Sequence, residues 1–156
     1  MTTTAPIPPI TATAAVGLPV DQAFRVFTEQ FTAWWPHQYH IGKAEVAEIL
    51  LEPQVGGRWF ERGVDGSECD WGRVLVWEPP HRVVLEWQIS AAWQFDPDVH
   101  TEVEVRFVSD GDRTRVELEH RGLESLGAAA EMTRGIFDSP TGWAGLLDRF
   151  GAEAGG

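Results

Sequence analysis

The stretch VHTEVEVRFVSDGDRTRVELEH, residues 99–120, alternates apolar and polar side chains on both sides of an Asp-Gly break. Before the break, Val103, Val105 and Phe107 share one parity, while glutamate and arginine occupy the other. Strict alternation predicts a β-strand with one dry and one wet face, and an Asp-Gly pair between two such runs predicts a hairpin. His120 falls on the apolar parity of the second run. The stretch therefore predicts two neighbouring antiparallel strands that cover a core.

Similar runs lie between turn residues along most of the remaining chain. The predicted strands are Ile10–Leu18, Glu45–Glu52, Gly57–Gly63, Glu68–Trp77, Arg82–Ile89, Val99–Val108 and Arg113–His120. The breaks between them carry glycine, aspartate or proline, as in Pro79-Pro80, and these residues favour turns for steric reasons. Consecutive hairpins predict an antiparallel meander. The parity that faces the core in the middle strands stays open.

A short helix is predicted between the first strand and the meander. It follows Pro19, with Asp21 as the predicted cap, and its apolar residues from Ala23 to Phe31 recur at three- and four-residue spacing. The helix must end before Pro36, because proline removes a backbone donor and disfavours the helical conformation of the preceding residue.

The C-terminal region is predicted to be helical from Leu126 to Asp138, and again from Pro140 with Ser139 as the cap. The closing helix carries an apolar stripe of Trp143, Leu146, Leu147 and Phe150. Such a stripe needs a sheet to lie on. The element order predicts an α+β fold, in which a curved antiparallel sheet wraps around a long C-terminal helix and encloses an internal cavity.

The composition predicts a single acidic globular domain. A chain of 156 residues fits one domain, which we place at residues 10–156 after a flexible, Thr- and Pro-rich tail at residues 1–9. The 12 basic and 24 acidic residues give a formal net charge of −12. Proteins that bind nucleic acids or membrane surfaces normally present basic patches, so we expect neither partner.

The sequence carries no visible targeting or disulfide signal. The N-terminal segment lacks basic residues and is interrupted by prolines, unlike a signal peptide or a membrane-spanning helix. The lone Cys69 cannot form an internal disulfide, which favours a reducing compartment. These features predict a cytoplasmic protein.

Several segments resemble the helix-grip superfamily, which includes Bet v 1-like plant carriers, START lipid-transfer domains and aromatase/cyclase domains. Four motifs resemble the branch of activator of Hsp90 ATPase homologues. They are VDQAFRVFTE (20–29), VGGRWFE (55–61), WGRVLVWEPPHRVVLEW (71–87) and GWAGLLDRF (142–150). These motifs occur in the order typical of that branch. The resemblance implies a helix-grip fold with a cavity, and members of the superfamily bind or transform many apolar molecules.

Tryptophan usage predicts that this cavity binds a ligand. Eight Trp against a single Tyr is unusual, and indoles offer flat apolar contact with one polar handle. The candidate ligand-binding residues are Phe27, Trp34, Trp35, His37, Tyr39, Trp59, Trp71, Trp87, Trp93, His120 and Trp143. Any one indole could be ordinary core, but together they exceed what a solid core of this size requires. We therefore expect a small hydrophobic or aromatic molecule as the partner.

The sequence predicts no catalytic centre, metal site or cofactor. It contains no GxSxG elbow, Cys-His signature or phosphate-binding glycine loop. Structural zinc requires four ligands in tight pairs, and His37 with His40 forms only one weak pair. The candidates for acid–base chemistry are His37, His40, Glu61, Asp70 and His120. Cys69 is interpreted as an incidental thiol.

Three functions stay open. The first is a non-enzymatic carrier or sensor of a hydrophobic molecule. The second is an enzyme of the cyclase, dehydratase or hydrolase kind that uses polar residues in the same cavity. The third, implied by the name of the family, is a cofactor of an Hsp90-type chaperone. An exposed apolar patch, on the sheet or along the Trp143 stripe, would also support a homodimer.

Overall fold

The fold is a curled seven-stranded antiparallel sheet with helices against its concave face. A computed structural model describes residues 8–37, 39–90, 92–139 and 142–153. The strands are β1 (Ile10–Val16), β2 (Val46–Leu51), β3 (Arg58–Gly63), β4 (Glu68–Glu78), β5 (Arg82–Trp87), β6 (Thr101–Asp110) and β7 (Arg113–Arg121). The helices are α1 (Val20–Glu29), α2 (Phe31–Trp34), α3 (Ala130–Phe137) and α4 (Trp143–Glu153), with a 3-10 segment at Leu123–Ala129. The sheet order β1-β7-β6-β5-β4-β3-β2 confirms the predicted meander and the α+β class.

The alternation in β6 and β7 places their apolar residues on the concave side. Val103 pairs with His120, and Val105 pairs with Leu118, and all four side chains are buried. The sequence prediction for this hairpin is confirmed. His120 therefore points into the core rather than into solvent.

Regular alternation fails in β4, because two register shifts interrupt it. The pairing of β3 with β4 shifts next to Trp59 and leaves Trp71 as an extra residue. Trp71 is buried, whereas Arg73, which a regular strand would turn to the same side, is exposed. The second shift separates Val74 from Val76 on the β5 side. A bulge places two residues opposite one, so counting alternate residues cannot assign the inner face of this strand.

The first helix begins differently from the prediction. α1 starts at Val20 after Pro19, which makes no side-chain capping bond, so Asp21 is not the cap. Asp21 lies in the first turn, where its negative charge is favourable next to unpaired backbone donors. The helical run breaks before Phe31, where α2 begins. α2 ends at Trp34, ahead of Pro36, as predicted.

The C-terminal helices cover the open side of the sheet. The helical region predicted from Leu126 to Asp138 is confirmed for α3, but its first residues belong to the 3-10 segment, which is interrupted by a non-helical conformation at Gly127. The predicted start at Pro140 lies outside the described residues. α4 packs against β1 and buries its apolar stripe, which confirms that the stripe lies on the sheet, so the stripe offers no exposed patch for a dimer. A homodimer stays a prediction. No helix in the described ranges is long and apolar enough to cross a membrane.

The convex face of the sheet carries a network of ion pairs. Glu104, 4% exposed, accepts hydrogen bonds from Arg82, Arg106 and Arg121. Burial raises the pKa of Glu104, but the bonds from the three arginines outweigh it and lower the pKa to about 2. Arg58 likewise pairs with a carboxylate of β4. These arginines stabilise the outside of the sheet, away from its concave face.

Candidate functional site

An apolar pocket of about 110 Å³ lies between the sheet and the C-terminal helices. It is lined by Trp35, Tyr39, Trp87, Trp93, Ile136, Phe137, Gly142 and Leu146. Trp35 follows α2, Trp87 ends β5 and Phe137 ends α3, so the ends of separate elements meet here. Aromatic and aliphatic side chains form nearly all of the wall, which suits an apolar or aromatic molecule.

The rest of the space inside the sheet is filled by the indoles themselves. The side chains of Trp34, Trp35, Trp59, Trp71, Trp87 and Trp143 are each at most 2% exposed. Ring centroids lie 5.2 Å apart for Trp35 and Trp71, and 5.4 Å apart for Trp59 and Trp87, in tilted and edge-to-face arrangements. These are the separations preferred by packed aromatic pairs. Most of the tryptophans are therefore core, and the remaining room is the pocket at one end.

Buried Glu61 holds the loop that carries Tyr39 to the pocket. Its carboxylate accepts a hydrogen bond of 2.6 Å from the backbone of Ile41 and one of 2.9 Å from the indole of Trp71. The indole of Trp35 donates to the carbonyl of Tyr39 at 2.9 Å. A buried carboxylate needs such donors to offset the loss of water. Glu61, a sequence candidate for acid–base chemistry, therefore acts as an anchor of this loop.

His120 lies directly behind the pocket wall in a fixed chain of hydrogen bonds. The hydroxyl of Thr101 donates to the carbonyl of Trp87 at 2.7 Å and therefore accepts from Nε2 of His120 at 2.9 Å. Nδ1 of His120 accepts from the indole of Trp143 at 3.0 Å. Burial lowers the pKa of His120 to about 3. The imidazole is thus neutral and fully bonded, and it orients the rings that form the wall.

The structure distributes the sequence candidates over four environments. Trp35, Tyr39, Trp87 and Trp93 line the pocket. His120 and Trp143 contact the lining residue Trp87 from behind. Phe27, Trp34, Trp59 and Trp71 lie in the packed aromatic core. His37 is exposed and bonds to the carbonyl of Thr32 at 2.7 Å.

Sequence reasoning missed the contribution of α3. Ile136 and Phe137 line the pocket, although the candidate list contained no residue between His120 and Trp143. The helical spacing of Thr133 and Phe137 was a usable signal, since residues four apart share one helix face. Leu146 was recognised as part of the apolar stripe but not as pocket wall.

The other polar candidates do not converge on a reactive centre. Burial raises the pKa of the Cys69 thiol, and the negative charges of Glu61 and Asp70 raise it further, so the nucleophilic thiolate is disfavoured. Within the described ranges, no three side chains among His, Cys, Asp and Glu are placed to share a metal ion.

Larger depressions lie elsewhere on the surface, but their chemistry differs. One of about 240 Å³ lies on the convex face beside Glu104, Arg106 and Glu117. Another, of about 520 Å³, is bordered by Arg58 and Asp70. Their charged groups are already paired with one another or face water. The smaller aromatic pocket is the better candidate, because a site is defined by its chemistry as well as by its volume.

Comparison with known proteins gives a consistent result. The family described as activator of Hsp90 ATPase homolog 1-like protein matches residues 17–155. No curated protein matches the sequence significantly. A solved structure of the anthrahydroquino-γ-pyrone synthase Txn09 is 40% identical, with a TM-score of 0.66, and the match covers 94% of this chain and 97% of that one.

Two further solved structures share the fold. The self-sacrificing resistance protein CalC from Micromonospora echinospora is 28% identical, with a TM-score of 0.70 and 94% of each chain covered. An AHSA1-like protein from Aeromonas hydrophila is 21% identical, with a TM-score of 0.59, covering 92% of this chain and 90% of its own. The chain belongs to the activator of Hsp90 ATPase homologue 1-like family of the helix-grip fold.

Proposed function

We propose that this protein binds a planar aromatic small molecule, one ring of which enters the pocket between Trp35, Trp87 and Trp93. The observation that carries the proposal is the composition of the pocket wall, which is aromatic or aliphatic at nearly every position. Aromatic walls make edge and face contacts with a flat ring that a saturated molecule cannot match. A planar ligand is therefore favoured over an aliphatic one.

The size of the pocket limits how much of the ligand is enclosed. A cavity of about 150 Å³ holds one benzene ring, so a pocket of about 110 Å³ takes at most about one ring. Additional rings of a fused system would extend over Met132 and Ile136, which are 62% and 51% exposed beside the opening. Exposed apolar side chains next to an apolar pocket are typical of a binding surface.

The binding proposal is tested by titrating the protein with 2-naphthol, followed by calorimetry and tryptophan fluorescence. We expect saturable binding that weakens by roughly tenfold or more in Trp87→Leu, because an aromatic anchor of a pocket contributes most of its affinity. Trp77→Leu is the matched control, since Trp77 contacts Phe24 outside the pocket. Equal affinity in the wild type and Trp87→Leu, or no binding at all, would refute the proposal.

A second candidate function is ring closure on the bound molecule, and the 40% identity to a γ-pyrone synthase favours it over a passive carrier. In such a closure, a phenol oxygen of the bound molecule adds to a carbonyl carbon of the same molecule. The hydroxyl formed on that carbon then leaves with a proton as water. The pocket would hold the reacting chain flat against the ring, which lowers the entropic part of the barrier. Among the described lining residues Tyr39 carries the only ionisable side chain, so we assign proton transfer to it.

The catalytic proposal is tested with an aryl β-diketone that carries an ortho hydroxyl. We expect the protein to accelerate loss of one water, detected by mass spectrometry, and Tyr39→Phe to slow this step while still binding 2-naphthol. If the protein binds 2-naphthol but leaves the diketone unchanged, the ring-closure function is refuted and the carrier or sensor function is retained. The chaperone-cofactor hypothesis stays a prediction, and a pull-down with purified Hsp90 would check it.

A further inference from the structure

A narrow groove continues the aromatic pocket along α3. It has a volume of about 20 Å³ and is lined by Ile89, Ser90, Trp93, Met132, Thr133, Ile136 and Phe137. Trp93, Ile136 and Phe137 belong to the walls of both spaces. A water molecule needs about 10–15 Å³, so the groove has room for one oxygen-sized group rather than for another ring.

Thr133, one of the residues that line this groove, carries an unusual polar atom. Its side chain is 6% exposed, and its buried hydroxyl has no hydrogen-bond partner. A helical threonine commonly bonds to the carbonyl of the preceding turn, as Thr28 does with Phe24 at 2.8 Å. An unsatisfied buried hydroxyl destabilises a fold, because it has lost its hydrogen bonds to water without a replacement. Because Thr133 lies in the groove wall, the missing partner is expected to be an atom of a molecule that enters the groove.

The loop on the opposite side of the groove is strained at Trp93. Trp93 has a φ of 57°, a left-handed conformation that bulky side chains rarely adopt. Its amide donates to the carbonyl of Ser90 at 3.0 Å, and its ring lies 6.2 Å from that of Phe137. The loop thereby holds the indole, 39% exposed, between the pocket and the groove. Strain of this kind concentrates at ligand-binding positions.

We propose that Thr133 recognises an oxygen substituent of the aromatic ligand, a hydroxyl or a carbonyl, which reaches the groove while the ring occupies the pocket. This inference rests on the proposed binding function and specifies its ligand class as oxygenated aromatics. The hydroxyl of Thr133 both donates and accepts, so it serves either a ligand carbonyl or a ligand hydroxyl. Trp93 and Phe137 position the ring so that its substituent points along the groove.

The test compares Thr133→Val with the wild type, using 2-naphthol and 2-methylnaphthalene as probes of the same shape. We expect Thr133→Val to bind 2-naphthol roughly five- to tenfold more weakly and 2-methylnaphthalene with unchanged affinity, because only the hydroxyl is lost. Thr133→Ser should retain the preference for 2-naphthol. Equal effects on both probes, or none on either, would overturn the inference.

Stability measurements provide a second readout that needs no ligand. Thr133→Val should unfold at the same temperature as the wild type or higher, since it removes an unsatisfied hydroxyl without changing the shape. Thr28→Val is the matched control and should lower the unfolding temperature, because it breaks the bond to Phe24. A comparable loss in both variants would mean that Thr133 is bonded within the protein, which overturns the inference. If the wild type binds neither probe, the proposed function fails as well.

Discussion

Burial lowers the pKa of His120 and favours its neutral form, in which both ring nitrogens are hydrogen-bonded. The bond from Thr101 to the carbonyl of Trp87 fixes the direction of the hydroxyl, so Nε2 of His120 must carry the proton. The other ring nitrogen accepts from Trp143 on α4. One neutral imidazole therefore links two strands to a helix behind the pocket. Its inward direction was predictable from the alternation in β7, but its helical partner was not.

The lowered pKa of His120 predicts how stability changes with pH. Burial holds the folded-state pKa at about 3, against an ordinary value of 6.5 that the unfolded chain retains. The contribution of neutral His120 to the free energy of unfolding is therefore fully present above pH 6.5. It decreases by about 1.4 kcal/mol per pH unit as the pH falls toward 3. His120→Gln should be less stable at neutral pH but should lose about 2 kcal/mol less than the wild type on acidification to about pH 5.

Urea denaturation at several pH values above about 5 measures this difference, since ordinary carboxylates titrate below that range. Glu104 does not interfere, because burial raises its pKa but three arginines together lower it to about 2. Parallel stability curves for the wild type and His120→Gln would show that the imidazole titrates normally in the folded protein.

The bulge in β4 is the element that aims Trp71 into the core. At Gly72, beside the extra residue, an added Cβ would lie 1.6 Å from the carbonyl oxygen of Glu86 in β5. The backbone amide of Gln88 also bonds to the carbonyl of Trp71 at 2.8 Å. β4 and β5 thus approach each other closely at this point, and only glycine fits between them.

Gly72→Ala should therefore destabilise the protein by about 2–3 kcal/mol or more, because the clash is with backbone that cannot rotate away. The near-ultraviolet circular dichroism of the indoles should change as well, since Trp71 shifts with its strand. Gly135→Ala in α3 is the matched control, where an added Cβ meets nothing within 4 Å. That variant should be more stable by about 0.5–1 kcal/mol, as alanine favours a helix. A neutral Gly72→Ala would contradict the close approach of the strands.

The whole molecule combines features that a sequence can predict with one that it cannot. The meander follows from local alternation and turn residues, and the curled sheet follows from the resemblance of ordered motifs, so both were predictable. The pocket depends on which side chains the sheet, the helices and the loops bring together. Trp35, Trp87 and Phe137 are far apart in the sequence, and the bulge at Trp71 alters which side chains fill the centre. Long-range packing of this kind leaves no periodic signal.

The interior consequently consists of a packed aromatic core with a pocket at one end, and of the neighbours Trp34 and Trp35 only Trp35 borders the pocket. The ring centroid of Trp34 lies 5.0 Å from those of Phe27 and Phe31, whereas Trp35 lines the pocket. Replacing either one by leucine should cost about 2–4 kcal/mol of stability. Only Trp35→Leu should also weaken 2-naphthol binding by roughly tenfold or more, because it removes part of the wall. Calorimetry at a temperature where both variants are folded measures the difference. Equal losses of affinity would mean that core and pocket respond as one unit, and no loss in either variant would place the ligand elsewhere.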